Sequence, residues 1–307
     1  EPLISGDGAY VAFYSDATDL VSSGSGPSSS NVYVWERSSG TTTLVSESVS
    51  ASGQRGNNSS YSPVFSGDGA YVTFYSYATD LVSGGSGPST LNVYLWERAS
   101  GTTALVSRSV SAAGERGNGN SYSPLISGDG AYVAFNSSAT DLVSGGSGPS
   151  TVNVYVWERL SGTMTLVSES VSAAGERGNS GSSEAVISDD GSYVAFYGSA
   201  TDLVSGGSGP STQNVYLWER ASGTTMLVSG SVSATGQRGN SHSSSPVISG
   251  DGAYVAFYST ATDLVSGGSG PSTNEVYLWE RSSGTTTLVS ESVSAAGQRG
   301  NGASSQP

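Results

Sequence analysis

Two ionisable side chains recur at a fixed spacing and are the first candidates for chemistry. An aspartate in the run Asp-Leu-Val and an arginine in the run Arg-Gly-Asn each occur five times, once every 61 residues. A carboxylate and a guanidinium together can bind sugar hydroxyls or an ion through charge-assisted hydrogen bonds. The candidate ligand residues are Asp19, Asp80, Asp141, Asp202, Asp263, Arg55, Arg116, Arg177, Arg238 and Arg299. The alternative is structural: both residues fasten long loops through hydrogen bonds and a shared ion pair.

The other reactive residue types argue against an enzyme. The chain has no Cys and one His, which excludes a thiol nucleophile and any site that needs two imidazoles. His242 aligns within the repeat with Ser, Asn, Gly and Ala, so it is expected to face solvent. Paired carboxylates can cleave glycosides, but each carboxylate here has five equivalents and no pair is distinguished. We predict no catalytic residue, no metal and no cofactor.

Composition excludes two further classes of partner. The formal net charge is −14, with 25 acidic residues against 11 basic ones, so the chain repels a phosphate backbone and nucleic acid is not expected to bind. No apolar run approaches the roughly 18 residues that a membrane span requires. The sequence therefore predicts no membrane insertion.

The same period positions every motif on a repeating set of strands. In the second repeat we predict strands at 63–66, 70–76, 92–98 and 102–109, joined in part by two tight turns that contain glycine. Both faces of these strands carry apolar side chains, which suits a sheet stacked between two neighbours. A fixed period of this length indicates a solenoid, a propeller or an array.

We therefore predict an all-β fold, a five-bladed β-propeller with four antiparallel strands in each blade and a 61-residue repeat. A β-solenoid is the alternative, but its coils are shorter and lack two tight hairpins in each unit. The expected domain is one propeller over 1–307. Its approximate blades are 2–62, 63–123, 124–184, 185–245 and 246–307.

The repeated run Ser-x-Asp-Gly-x-Tyr-Val-x-Phe, followed by Val-Tyr-x-Trp-Glu-Arg-x-Ser-Gly-Thr, resembles the TolB-type (WD40-like) propeller repeat of bacterial extracytoplasmic proteins. The resemblance extends over all five repeats. It implies that the strand at 63–66 is the innermost one of its blade, and that the protein is bacterial and secreted or exposed at the cell surface. The loop Ser-Gly-Gly-Ser-Gly-Pro-Ser-Thr lacks the acidic and Asn residues of related repeats, which argues against calcium there.

Alternation of strand direction places the tight turns at one end of each blade and the long loops at the other. Long loops without secondary structure are often functional, so a ligand is expected at the long-loop end. The Trp of Trp-Glu-Arg is expected in the core with its indole N–H bonded locally, and the Glu and Arg are expected as a solvated pair. The hairpin Asp is expected to accept hydrogen bonds from turn amides.

Asn57, Asn58 and Asn136 begin Asn-x-Ser sequons, which predicts glycosylation sites, with chance occurrence in a Ser-rich chain as the alternative. The two ends of the sequence, at Pro2 and Pro307, have the same phase in the repeat, which suggests head-to-tail association of copies. The leading hypothesis is a non-enzymatic extracellular structural protein that forms fibres or a surface layer. The alternatives are a multivalent lectin-like propeller that binds glycans, and a protein-docking scaffold.

Overall fold

A computed structural model of the chain describes residues 2–22, 25–111, 114–267, 270, 272–293 and 298–304. These residues form twenty β-strands and no helix. The strands group into five antiparallel sheets of four, and in each sheet the strands follow one another in chain order. This is the architecture of a five-bladed β-propeller, so the predicted fold class is confirmed. No helix in the described ranges is long and apolar enough to cross a membrane.

The strand bounds repeat closely from sheet to sheet. The first sheet has β1 (Leu3–Ile4), β2 (Tyr10–Ser15), β3 (Asn31–Glu36) and β4 (Thr42–Leu44). The second has β5 (Ser60–Phe65), β6 (Tyr71–Ser76), β7 (Asn92–Glu97) and β8 (Thr102–Leu105). The third has β9 (Ser121–Ile126), β10 (Tyr132–Ser137), β11 (Asn153–Glu158) and β12 (Met164–Leu166). The fourth has β13 (Ser182–Ile187), β14 (Tyr193–Gly198), β15 (Asn214–Glu219) and β16 (Thr224–Leu227). The fifth has β17 (Ser243–Ile248), β18 (Tyr254–Ser259), β19 (Glu275–Glu280) and β20 (Thr285–Leu288).

The innermost strand is longer than its sequence predicted. In the second sheet it begins at Ser60 rather than Pro63, because Ser60 and Tyr61 pair with β6 ahead of a break in register before Val64. Ser62 lies in that break with φ of 49°, in the left-handed region that residues other than glycine seldom adopt. The irregularity lets the strand keep pairing on both sides of the proline, which has no amide hydrogen to donate.

The outermost strand is shorter than predicted and ends at Leu105 instead of Ser109. The backbone pairing with β7 stops because a serine side chain replaces the backbone carbonyl as the acceptor for the Val93 amide. The Ser107 hydroxyl accepts from the Val93 amide at 3.0 Å and donates to the Asn92 side-chain oxygen at 3.0 Å. Beyond this point the chain leaves the sheet and enters the long loop.

The sheets belong to two compact units. One comprises Glu1–Gly146 with Tyr155–Thr165, and the other comprises Ser147–Val154 with Leu166–Pro307. The prediction of one propeller domain over 1–307 with the blade limits given above therefore stays a prediction.

Within each unit, neighbouring sheets pack face to face through apolar side chains. In the first unit, Ala12, Val32 and Val34 of the first sheet share one core cluster with Val72 and Phe74 of the second. In the second unit, the equivalent cluster joins the fourth and fifth sheets. We call the side of a sheet equivalent to Ala12 and Val32 its rear face, and the side equivalent to Val72 and Phe74 its front face. Each such cluster joins the rear face of one sheet to the front face of the next.

Candidate functional site

The repeated arginine lies at the long-loop end of its sheet, but its side chain is buried. The guanidinium of Arg116 donates through Nε to the Pro88 carbonyl at 3.2 Å, through Nη1 to that of Thr79 at 3.3 Å and through Nη2 to that of Gly87 at 2.8 Å. All three carbonyls belong to the long loop between β6 and β7. A guanidinium with no acceptor group of its own satisfies loop carbonyls that would otherwise lack a partner. Arg116 therefore fastens the two long loops of its sheet to each other.

The other repeated arginines are buried in the same way. Arg55 and Arg238 each donate from Nε, Nη1 and Nη2 to three carbonyls equivalent to those around Arg116. Arg177 donates to the carbonyls of Pro149 and Gly148. Arg299 donates to the Tyr277 hydroxyl and the Thr262 carbonyl. The five guanidiniums are at most 5% exposed, so these side chains do not form an open binding pocket.

The repeated aspartate makes a different contact, which joins neighbouring sheets. The carboxylate of Asp80 accepts from the Asn57 amide at 3.0 Å, so it joins the loop that follows the first sheet to the long loop of the second. The Asn57 side chain donates to the Thr79 hydroxyl at 2.8 Å and accepts from the Thr79 amide at 2.9 Å. The same set of bonds recurs at Asp141, Asp202 and Asp263.

In the second sheet, hydrogen bonds fasten the loops, and an ion pair between Arg116 and Asp80 does not. Arg116 donates to carbonyls and Asp80 accepts from an amide, and among the described residues the two do not pair with each other. The hydrogen-bonding part of the structural interpretation agrees with the geometry. Asp19 is exposed and remains, with the other members of its set, a sequence-based candidate for a ligand.

The hairpin carboxylates act as turn acceptors, as predicted. Asp68 accepts from the Ser66 hydroxyl at 2.6 Å and from the Ala70 amide at 3.0 Å. Partial burial alone would raise the pKa of Asp68, but these hydrogen bonds outweigh it and place the pKa below its usual value. In the first sheet, hydrogen bonds from Ser39 and Ser38 lower the pKa of Glu36. These carboxyl groups are therefore ionised at neutral pH.

The Trp and the Arg of the Trp-Glu-Arg motif have different roles: the Trp is buried in the core, and the Arg contacts the preceding sheet. Trp96 and three of its equivalents are buried in the core, as predicted, although among the described residues the indole nitrogen of Trp157 has no hydrogen-bond partner. Arg98 is not a solvated partner of Glu97. Its guanidinium lies 4.2 Å from the ring centroid of Tyr10 in the preceding sheet and donates to the Tyr10 hydroxyl at 2.7 Å.

This stacking of Arg on Tyr recurs at other junctions between sheets. Arg159 lies 4.3 Å from the ring centroid of Tyr71, and Arg281 lies 4.2 Å from that of Tyr193. A cation over an aromatic face contributes about 0.5–1 kcal/mol when exposed and more when desolvated. The sequence contains the signal, because Asp-Gly-x-Tyr and Trp-Glu-Arg recur with one period. It does not show that the Arg of one repeat meets the Tyr of the previous one.

The three sequons differ in accessibility. Asn136 lies near the end of β10 and is only 2% exposed in the folded chain, so its burial does not favour a glycan there, and the sequon stays a prediction. Asn57 is exposed, but its side-chain amide makes two hydrogen bonds with Thr79: the nitrogen donates to the Thr79 hydroxyl and the oxygen accepts from the Thr79 backbone amide. Asn58 is exposed and accepts only a local bond, from the Ser59 amide. Asn58 is the position at which a glycan would disturb the fold least.

Two sheet faces expose side chains whose equivalents are buried. Val289 of the fifth sheet is 56% exposed, whereas its equivalents in the other four sheets are at most 1% exposed. On the same rear face, Val276 and Leu278 are partly exposed and Tyr254 is 42% exposed. Sequence reasoning missed this face, because Val289 has the same neighbours in sequence as its buried equivalents.

The second such surface is the front face of the first sheet. Ile4 is 66% exposed. Phe13 and Leu20 are partly exposed, whereas the equivalent residues of the other four sheets are fully buried. Contiguous exposed apolar surface of this kind marks interaction sites.

No cluster of three His, Asp or Glu side chains suited to a metal ion occurs among the described residues.

A family model described as "Family of unknown function (DUF7453)" matches residues 4–304. A comparison with curated proteins gives no match. Among solved structures, the β-propeller domain of the trilobed protease from Pyrococcus furiosus has a TM-score of 0.51 and 13% identity, and the alignment covers 95% of this chain and 71% of that one.

Two further structures are similar. The tricorn protease has a TM-score of 0.50 and 10% identity, with 93% of this chain and 26% of that chain covered. TolB from Acinetobacter baumannii has a TM-score of 0.45 and 15% identity, with 93% and 52% covered. This chain thus spans about half of TolB and about a quarter of the tricorn protease. The likenesses to the trilobed protease propeller and the tricorn protease concern the fold alone.

Proposed function

The chain belongs to the family of unknown function DUF7453, and for this member we propose a non-enzymatic structural role at the cell exterior. Copies associate head to tail, with the rear face of the fifth sheet in one copy against the front face of the first sheet in the next. Contacts that join two different surfaces and do not close on themselves generate filaments. The secreted setting is part of the proposal and derives from the TolB-type resemblance.

The observation that carries this proposal is the exposure of the two apolar faces. At the internal junctions, rear-face residues such as Ala195 and Leu217 are buried against front-face residues such as Phe257 of the next sheet. The exposed rear face of the fifth sheet and the exposed front face of the first sheet carry the same kinds of residue as the two sides of this internal junction. A fully buried Val, Ile or Phe side chain contributes about 1.5–3 kcal/mol relative to an exposed one, so several such residues favour association strongly.

The Arg and Tyr contact supports the same pairing and gives it an orientation. Each internal stack joins the Tyr of one sheet to the Arg of the next sheet along the chain. Tyr254 is the corresponding Tyr of the fifth sheet, and Arg37 is the corresponding Arg of the first. Both side chains are exposed. A second copy that brings its Arg37 over Tyr254 reproduces the internal junction.

The hairpin and strand-end carboxylates whose pKa is shifted support a structural role for these groups. A glycoside hydrolase needs one carboxylic acid with a raised pKa to protonate the leaving group. The hairpin and strand-end carboxylates whose pKa is shifted are shifted downwards: Asp7, Glu36, Asp68, Asp190, Glu219 and Asp251. Their acceptor bonds to hydroxyls and amides match a role in holding turns.

Replacing Ile4 by Asp is expected to abolish association, because a carboxylate would be buried in an apolar junction without a partner. Sedimentation velocity of the 307-residue chain measures this: the wild-type coefficient rises with concentration, and that of Ile4→Asp stays at the monomer value. Leu160→Asp is the matched control, since Leu160 is 82% exposed in a tight turn of the third sheet and lies outside both faces. A wild-type chain that remains monomeric at its highest soluble concentration would overturn the proposal.

A further inference from the structure

Two asparagines of the repeat are followed by glycine, and both lie in the same short sequence. Asn118 and Asn301 each occur in the run Arg-Gly-Asn-Gly, at equivalent positions after the second and the fifth sheet. Every other asparagine of the chain is followed by a larger residue. Both side chains are exposed. Local sequence and access to solvent are therefore matched, and the two residues differ in what their neighbours do to them.

The asparagine of an Asn-Gly pair can modify itself in water. The nitrogen of Gly302 forms a bond to the side-chain carbon Cγ of Asn301, the bond between Cγ and Nδ2 breaks, and ammonia leaves with the proton of the attacking nitrogen. Water then opens the cyclic imide at either carbonyl, which gives aspartate or isoaspartate. Glycine permits the ring closure because it has no Cβ to crowd the attacking nitrogen.

The third sheet holds Asn118 in a position that prevents this reaction. The Asn118 side-chain oxygen accepts from the Thr140 amide at 2.8 Å, and its Nδ2 donates to the Thr140 hydroxyl at 2.8 Å. Its backbone amide donates to the Asp141 carboxylate at 3.0 Å. The following glycine is confined as well, since a side-chain carbon at Gly119 would lie 2.7 Å from the Ala139 nitrogen. These hydrogen bonds must open before Cγ of Asn118 reaches the next nitrogen.

Asn301 is not restrained in this way. Its side chain makes no hydrogen bond within the part of the chain that the structure describes. A side-chain carbon at Gly302 would meet no described atom within 4 Å. In the proposed head-to-tail contact, the residues equivalent to those that hold Asn118 are Thr18 and Asp19 of the next copy, and both are exposed.

We propose that Asn301 is a site of spontaneous deamidation, and that its conversion prevents further association at the fifth sheet of that copy. The second part rests on the proposed function. In a joined pair, Thr18 and Asp19 of the next copy hold Asn301 as the third sheet holds Asn118. In an unjoined copy the reaction proceeds. Aspartate then places a second carboxylate beside Asp19, and like charges across a contact oppose binding. Isoaspartate also lengthens the main chain and displaces the backbone amide that would meet Asp19.

Peptide mapping by mass spectrometry tests the modification, on dilute 307-residue chain kept in mildly alkaline buffer. Cleavage after Arg116 and Arg299 releases two peptides that both begin Gly-Asn-Gly, and deamidation adds about 1 Da to either one. The Asn301 peptide is expected to convert at least about tenfold faster, because the two side-chain hydrogen bonds of Asn118 must open first. In concentrated urea the two rates are expected to become equal. Equal rates in the folded chain would overturn the proposed site.

Sedimentation velocity of fresh and aged samples tests the regulation. Fresh wild type is expected to associate, and wild type aged until Asn301 is fully converted is expected to remain monomeric. Gly302→Ala is the control, because its methyl group slows ring closure and enters open space. The internal junctions accept larger residues at this position, namely Asn58, Ser180 and Ser241. Aged Gly302→Ala shares any other damage of ageing and is expected to associate like fresh wild type.

The two readouts separate the two parts of the proposal. Association of fully converted wild type at the level of the fresh chain would contradict the regulation. A fresh chain that does not associate would overturn the proposed function, and the regulation with it. The relative rates of the two peptides decide the modification in either case, because they do not depend on association.

Discussion

Replacing Arg116 by Met lowers the free energy of unfolding by about 3 kcal/mol, since hydrogen bonds from a charged donor contribute about 1.5–3 kcal/mol each and the Arg116 side chain that donates them is buried. Methionine keeps much of the apolar stem but donates to none of the three loop carbonyls that Arg116 satisfies. Both long loops of the second sheet lose their common attachment. Urea unfolding followed by the fluorescence of the buried tryptophans measures the loss.

Arg108→Met is the matched control for this change. Arg108 lies in the same loop region, and its side chain is exposed with a single bond to the Gly162 carbonyl. A surface substitution of this kind changes stability by less than about 0.5 kcal/mol. Similar small effects at Arg108 and Arg116 would contradict the role assigned to the buried arginines and return them to the candidates for ligand binding.

The second large effect is a loss of stability at alkaline pH. Burial raises the pKa of Tyr94 to about 12 and that of Tyr216 to about 12. Both hydroxyls donate to carbonyls inside the fold, at 3.0 Å and 3.2 Å. An unfolded tyrosine loses its proton near pH 10, so between about pH 10 and 12 the unfolded chain binds fewer protons than the folded one.

Stability is therefore full below about pH 10 and falls as the pH rises towards about 12, by about 5 kcal/mol for the two tyrosines together at roughly 1.4 kcal/mol for each pKa unit. Urea unfolding at a series of pH values measures the slope. The double variant Tyr94→Phe and Tyr216→Phe is the control, since it removes both ionisations and is expected to reduce that slope, of which buried Tyr33 and Tyr277, whose pKa burial also raises, keep a part. A slope that is the same in the wild type and in this variant would contradict the assignment to these two residues.

The architecture could be predicted from the sequence because each strand has its own alternating pattern and is bounded by its own turn residues. Alternating Val72 and Phe74, the turn glycine at Gly69 and the fixed period predict a hairpin and a stacked sheet without knowledge of neighbours. The ends of strands were predicted less well. Ser62 and Ser107 change the pairing through a left-handed backbone and a side-chain hydroxyl, and neither effect follows from an alternating pattern.

The site depends on partners that a single repeat does not show. Arg98 looks like a strand-end charge until its contact with Tyr10 of the preceding sheet is known. Val289 has the same sequence environment as its buried equivalents and differs only in what covers it.

The most direct test of head-to-tail association is chemical cross-linking between the two exposed faces. The chain has no Cys, so the double variant Arg37→Cys and Tyr254→Cys carries thiols only at the proposed contact. Treatment with a short bis-maleimide is expected to give a ladder of multiples of 30.9 kDa on a denaturing gel. The variant Tyr10→Cys and Arg98→Cys, at an internal junction, is expected to give cross-linked monomer only. Cross-linked monomer alone from the first variant would show that the two faces meet within one chain, and would contradict the proposed assembly.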